Sequence, residues 1–297
     1  MSSVSGRDDG SLVGRVSRKS ALGPKVVGLV ACLLMAAAGA VAAKGETSGA
    51  ALKKLQDVVN GDQRTAEQKA RDKYRHPVET LAFFGIQPNM TVVELWPFGG
   101  WYTAILAPYV KGSGKFYAAA MDPASDKPGD LKYNADLKKL LDSHPDLYGE
   151  VQWSVLAPGK FQIAPDGSAD LVVTFRNIHN WAWAGIEKDV FAAAFRALKP
   201  GGILGVEEHR NADPSYEPKE RGKAYVGEDY AVKLIESVGF KLAGRSDINH
   251  NPKDTKDYPK GVWTLPPNYA EGDKDKAKYT AIGESDRFTL KFVKPAK

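Results

Sequence analysis

Cysteine is almost missing from this sequence: there is one, Cys32, and it sits inside an uncharged stretch near the N-terminus. The rest of the chain therefore has no disulfide, no thiolate nucleophile and no cysteine-based zinc site. An H-E-x-x-H pattern is also absent, as is any dense run of Lys and Arg interleaved with aromatics, which argues against nucleic acid as a partner. There is no internal repeat and no low-complexity tract.

What is present begins with that uncharged stretch, 26–43, preceded by Arg15, Arg18, Lys19 and Lys25 and ending in small residues. Such a segment exports or anchors a protein, and residues 1–43 are read as a signal peptide; an uncleaved membrane anchor is the alternative, and the only route to membrane contact. Leu29-Val30-Ala31-Cys32 is similar to a lipoprotein cleavage box, but apolar residues continue beyond it, so the match is taken as chance. The expected location is exported, periplasmic or secreted. Residues 1–43 carry five basic side chains against two acidic ones, so only +2 of the net charge of +5 belongs to the remainder.

With 43% hydrophobic and 26% charged residues over 297 positions, the remainder suits one globular domain. Residues 44–63 are polar and predict a flexible lead-in with one short helix near 51–59. Thr65-Ala66-Glu67-Gln68 is a capping-box pattern opening a charged helix through Arg75, and Pro77 starts another. From Thr91 on, short apolar runs alternate with helix-like segments, which predicts βαβ units. Strands are placed at 91–95, 115–120, 150–155, 169–175, 202–208, 240–245 and 287–293. Helices are placed at 101–109, 131–142, 186–198 and 227–238. Between the last two strands a polar insertion, 247–285, is too long for an ordinary connection and reads as a lid or as disordered chain.

The segments "VVELWPFGGWYT", "GKFYAAAMDP", "ADLVVTFRNIHNW", "FRALKPGGILGVEEHR" and "LIESVGFKL" follow one another in an order that resembles the class I S-adenosylmethionine-dependent methyltransferases. With "RDKYRHP" and "NPKDTKDYPKGVWTLPP" the chain resembles, more narrowly, a group of exported predicted methyltransferases. The resemblance covers about 64–295, and residues 64–297 are read as one methyltransferase-like domain. It implies an α/β, Rossmann-like doubly wound fold with a mostly parallel seven-stranded sheet and an antiparallel last strand. S-adenosylmethionine is the implied cofactor and a small molecule the implied substrate; the oligomeric state is left open.

In open α/β sheets ligands bind beyond the carboxyl ends of the strands, so the loops there are where chemistry is expected. In the resembling family an acidic residue precedes three alternate glycines; here these places hold Glu94, Trp96, Phe98 and Gly100. Together with Gly99 and Tyr102 they are the expected cofactor-binding loop. Phe98 is the awkward member: if its backbone needs φ > 0 a bulky residue is strained, and its ring either enters the cofactor volume or turns away. Asp122 is the candidate for the two ribose hydroxyls, or else it starts a turn with Pro123. Asn177 is the candidate for the cofactor's amino group.

His179, Asn180 and His209 are the expected catalytic residues, His179 as a proton acceptor from a substrate's hydroxyl or amine. The plainer alternative has His179 and Asn180 capping the next helix. Glu207, Glu208, His209, His179 and Asp213 could together form a His/carboxylate metal site, but without tight ligand spacing no metal is expected. Arg71, Asp72 and Arg75 either cover the cofactor or form a solvated ion-pair face. The alternative to an enzyme is a binding or structural protein whose cofactor loop has degenerated.

Overall fold

A computed structural model describes residues 47–219 and 221–296, so the segment expected to be a signal peptide lies outside the described residues. Seven strands, β1 (Thr91–Leu95), β2 (Lys115–Ala120), β3 (Gln152–Val155), β4 (Ala169–Phe175), β5 (Leu198–His209), β6 (Lys241–Ser246) and β7 (Arg287–Val293), form one sheet in the order β3-β2-β1-β4-β5-β7-β6. The first five pair in parallel, while β7 runs antiparallel between β5 and β6. This is the α/β, Rossmann-like doubly wound fold expected from the sequence, a mostly parallel seven-stranded sheet with an antiparallel last strand. The chain leaves β1 toward β2 and β3, then returns to β4 on the other side of β1. Strand order reverses between β1 and β4, and the crevice opens above their carboxyl ends.

The helices are α1 (Gly49–Asn60), α2 (Ala66–Lys69), α3 (Asp72–Arg75), α4 (Pro77–Phe84), α5 (Thr103–Val110), α6 (Pro128–Ser143), α7 (Pro145–Tyr148), α8 (Ile178–Ala184), α9 (Glu187–Ala197), α10 (Glu228–Glu236) and α11 (Lys276–Ile282). Val93, Leu95, Val172, Trp181, Phe191 and Leu204 build the core on one face of the sheet. Leu55, Phe84, Val92, Leu106 and Tyr109 build it on the other. None of the helices among the described residues is long and apolar enough to cross a membrane.

Three differences from the sequence expectation have physical causes. The short helix expected near 51–59 forms as α1, but it docks the lead-in that was expected to be flexible: its Ala51, Leu55 and Val59 are buried and its Ala51 carbonyl accepts from Tyr109 Oη at 3.2 Å. Those residues recur every fourth position, a narrow apolar stripe that polar composition hides. The charged helix after Thr65 breaks into α2 and α3: the capping box forms, but buried Arg64 draws the chain around it, holding the Val59 carbonyl at 2.7 Å and Asp72 at 2.6 Å. The insertion 247–285 is ordered, with a 3₁₀ turn at Gly261–Thr264 and α11. Its polar residues bond to the rest of the fold: Asn249 Nδ2 donates to Thr80 Oγ1 (2.9 Å) and Thr289 Oγ1 (3.0 Å), and Tyr225 Oη to Asp254 (3.0 Å).

Candidate active site at the strand-order reversal

A cavity of about 860 Å³ lies over the carboxyl ends of β1, β4 and β5. Trp96 and Phe98 line it from the β1–α5 loop, Tyr133 and Asp130 from α6, Arg176 and Asn180 from the end of β4 onward, and His209 from β5. Trp263, Glu284 and Ser285 close it from the 247–285 side. The volume falls within the ~300–1,000 Å³ of small-molecule sites.

The β1–α5 loop keeps a left-handed backbone at three alternate positions: φ is 46° at Trp96, 49° at Phe98 and 78° at Gly100. For the two aromatic residues this conformation costs about 1–3 kcal/mol each, which surrounding contacts must offset. Trp96 donates its indole N–H to the Leu156 carbonyl at 2.7 Å and packs edge-on to Trp181. The Phe98 ring neither leaves the cavity nor stands free in it. It lies along the wall, 4.6 Å centroid to centroid from Tyr133 of α6 and 6.3 Å from Trp96. Gly100 is needed for another reason than ligand approach: a Cβ there would come within 2.3 Å of Leu140 Cδ2, so the glycine lets α6 pack on the loop. Gly99 is exposed and off the cavity wall.

Four further expected cofactor residues are likewise not on the wall. Buried Glu94 accepts a hydrogen bond from Thr103 Oγ1 at 2.6 Å; burial pushes its carboxyl pKa up to about 7, against smaller opposing effects of that bond and of Arg176. Tyr102 stacks on Phe175, ring centroids 3.4 Å apart, and donates to Glu207 Oε2 at 3.2 Å. Asp122 forms the turn that was its alternative reading, accepting the Ala124 N–H at 3.0 Å and pairing with Lys160 at 2.6 Å. Asn177 joins the ends of β4 and β1 through Nδ2, 3.0 Å from the Leu95 carbonyl, leaving its buried Oδ1 without a partner among the described residues.

The polar end of β4 meets the end of β5 through Glu208. One oxygen accepts the Ile178 N–H (2.6 Å) at the start of α8; the other accepts the His209 N–H (2.7 Å) and lies 3.1 Å from His179 Nδ1. Glu208 thus caps α8 with its negative charge, the work the sequence offered to His179 and Asn180, which sit in the helix's first turn. His179 is buried, ringed by Trp183, His209 and Trp263, and its Nε2 has no partner among the described residues. His209 faces the cavity, its Nδ1 2.6 Å from Ser285 Oγ. Burial first, and then the neighbouring His179 and arginines, keep the His209 pKa well below the usual imidazole range, so the ring is neutral. Of the residues considered for a metal, His179, Glu208 and His209 place ligand atoms within 4.8 Å of one another. Glu207 and Asp213 are turned to other partners, and both Glu208 oxygens are already taken by N–H donors.

The feature that sequence reasoning undervalued is an arginine cluster on the same wall. Glu284 is gripped by Arg71 (2.5 Å), Arg75 (3.1 Å) and Arg287. Glu207 is held by Arg176 (2.8 Å), Arg287 (3.5 Å) and Tyr102. Burial alone would raise the Glu284 pKa, but the charges of Arg75 and Arg287 and the Arg71 hydrogen bond outweigh it and hold it well below the carboxylate range. Arg71 and Arg75, four apart, were visible as a charged face; Glu284 and Arg287, over 200 residues away, gave no signal that they would meet them.

The sequence matches no protein-family model and no curated protein. Solved structures do resemble it. A methyltransferase from Aquifex aeolicus described as SAM-dependent superposes with a TM-score of 0.51 at 15% identity, over 82% of this chain and 98% of its own. The [4+2]-cyclase SpnF superposes with a TM-score of 0.54, also at 15% identity, over 83% and 93%. At such identities the likeness establishes the fold, and the two descriptions name different reactions on it.

Proposed function

We propose that the protein is an S-adenosylmethionine-dependent methyltransferase acting on a small molecule. The observation that carries this reading is the left-handed backbone at Trp96, Phe98 and Gly100. Two aromatic residues hold a strained conformation at the places where the resembling family has glycine, so the loop takes the left-handed shape that glycines there would permit. Among the described residues the N–H of Phe98, on the cavity wall, makes no backbone hydrogen bond, which leaves it open to a ligand.

The wall suits such a cofactor. Trp96, Phe98 and Tyr133 offer aromatic surface to a purine, and Asp130 a carboxylate to a ribose diol. When bound, S-adenosylmethionine supplies a methyl group already activated by its sulfonium, so the protein's part is chiefly positioning. Neutral His209 can accept a proton from the acceptor's hydroxyl or amine, with Ser285 fixing its ring. Asn180 orients the acceptor, and Trp183 and Trp263 exclude water. His179 stands behind His209 and not on the wall, which moves the proposed base from the former to the latter.

The second reading, a binding protein with a closed cofactor loop, is favoured by the Phe98 ring on the wall and by the engagement of Asp122 with Lys160. Three tryptophans line the cavity, so quenching of intrinsic fluorescence on addition of S-adenosylmethionine tests between the two: saturable quenching supports the enzyme, and its absence the closed loop. The apolar run at 26–43 supports an exported protein, periplasmic or secreted.

A further inference from the structure

Four guanidinium groups, those of Arg71, Arg75, Arg176 and Arg287, converge on the cavity, and among the described residues only two carboxylates, Glu207 and Glu284, are paired with them. The cluster therefore carries an excess of two positive charges. Arg75 is 4% exposed; its Nε meets Glu284, but among the described residues neither of its Nη groups has a hydrogen-bond partner. Arg176 spends Nη1 on Glu207 and presents the rest of its guanidinium to the cavity from a left-handed backbone position, φ 62°. Like charges gathered out of water are unfavourable unless something negative joins them. Burial and then repulsion from Arg176 weaken the hold of Arg75 on its proton, which expresses the same imbalance.

A bound S-adenosylmethionine would not correct it. Its carboxylate is matched by its own ammonium, and its sulfonium adds a further positive charge. The missing negative charge has to come from the other occupant of the cavity.

We propose that the methyl acceptor is an anionic small molecule whose carboxylate or phosphate group is held by Arg75 and Arg176. Both guanidinium groups offer paired N–H donors, the arrangement that matches two oxygens of either anion. His209 lies on the same wall, so an acceptor anchored there brings its hydroxyl or amine within the region of the proposed base. The inference rests on the methyltransferase reading for the word acceptor, though not for the anion site itself.

The test is calorimetric titration of the full chain with inorganic phosphate and, separately, with succinate, at fixed ionic strength, with and without saturating S-adenosylmethionine. The expected result is saturable millimolar binding of at least one anion. It persists with the cofactor present, and Arg176→Gln weakens it at least tenfold while Arg176→Lys weakens it less. A preference for phosphate or for succinate tells which group the acceptor bears. Absence of saturable binding by both anions in the unaltered protein overturns the proposal, and so does loss of anion binding when S-adenosylmethionine is added, because the cluster would then serve the cofactor's own carboxylate. Cofactor binding without anion binding removes this inference and leaves the methyltransferase reading in place; anion binding without cofactor binding does the reverse.

Discussion

Glu208 Oε1 lies 3.1 Å from His179 Nδ1, and the same carboxylate accepts the backbone N–H groups of Ile178 and His209. One buried side chain thereby caps α8, ties β5 to the end of β4 and sets the proton of an imidazole. An Nδ1–H donated to Glu208 leaves Nε2 as the unprotonated nitrogen. Glu208→Gln replaces one accepting oxygen with a donor facing N–H groups, which is expected to cost about 1–3 kcal/mol in denaturant unfolding. Nitrogen-15 spectra should show the Nδ1–H tautomer of His179 in the unaltered protein and lose it in the variant; an unchanged tautomer would separate the two residues.

Glu94 gives a pH prediction. Its folded pKa is raised from 4.5 to about 7, so the native state holds this proton more tightly than the unfolded chain does. The stability it confers is present at low pH and is lost as pH rises from 4.5 through about 7. Glu94→Gln removes the buried charge and keeps an acceptor for Thr103. The variant should match the unaltered protein near pH 4.5 and exceed it above pH 7 by up to about 3 kcal/mol. Equal stability at pH 8 would contradict this account of Glu94.

Gly100→Ala tests why the loop kept that glycine. A Cβ at φ 78°, aimed at Leu140, should cost about 1–3 kcal/mol in unfolding experiments. Adding Leu140→Ala relieves the clash but not the backbone strain, so the double variant should recover less than the whole loss caused by the alanine at 100.

Asp130 and Asp122 exchange their expected importance. Asp130 lines the cavity with one oxygen held by Ser125, while Asp122 lies off the wall and is paired with Lys160. Asp130→Asn is expected to weaken S-adenosylmethionine binding about tenfold or more, as loss of a charged hydrogen-bond acceptor does. Asp122→Asn should leave both affinity and stability nearly unchanged, because a pair screened by solvent contributes little.

The sheet was legible because buried strands are short apolar runs: Leu171-Val172-Val173 and Phe288, Leu290 and Phe292 declare themselves. The site was legible to within a strand end and no closer. Trp96, Phe98, Asn180 and His209 reach the wall, whereas Glu94, Tyr102, Asn177 and His179, on the same segments, turn into the protein. Which way a side chain turns near a strand end depends on packing that spacing alone does not encode. The arginine cluster was less legible still: Arg71 meets Glu284 across 213 residues, a contact that only the antiparallel return of β7 creates.

The central claim is that the loop through Trp96, Phe98 and Gly100 still holds a cofactor. Calorimetric titration of the full chain with S-adenosylmethionine, beside the Phe98→Gly variant, tests it most directly. Saturable one-site binding by the unaltered protein is expected, with Phe98→Gly binding as well. No heat of binding from either protein, or binding by the glycine variant alone, would contradict it.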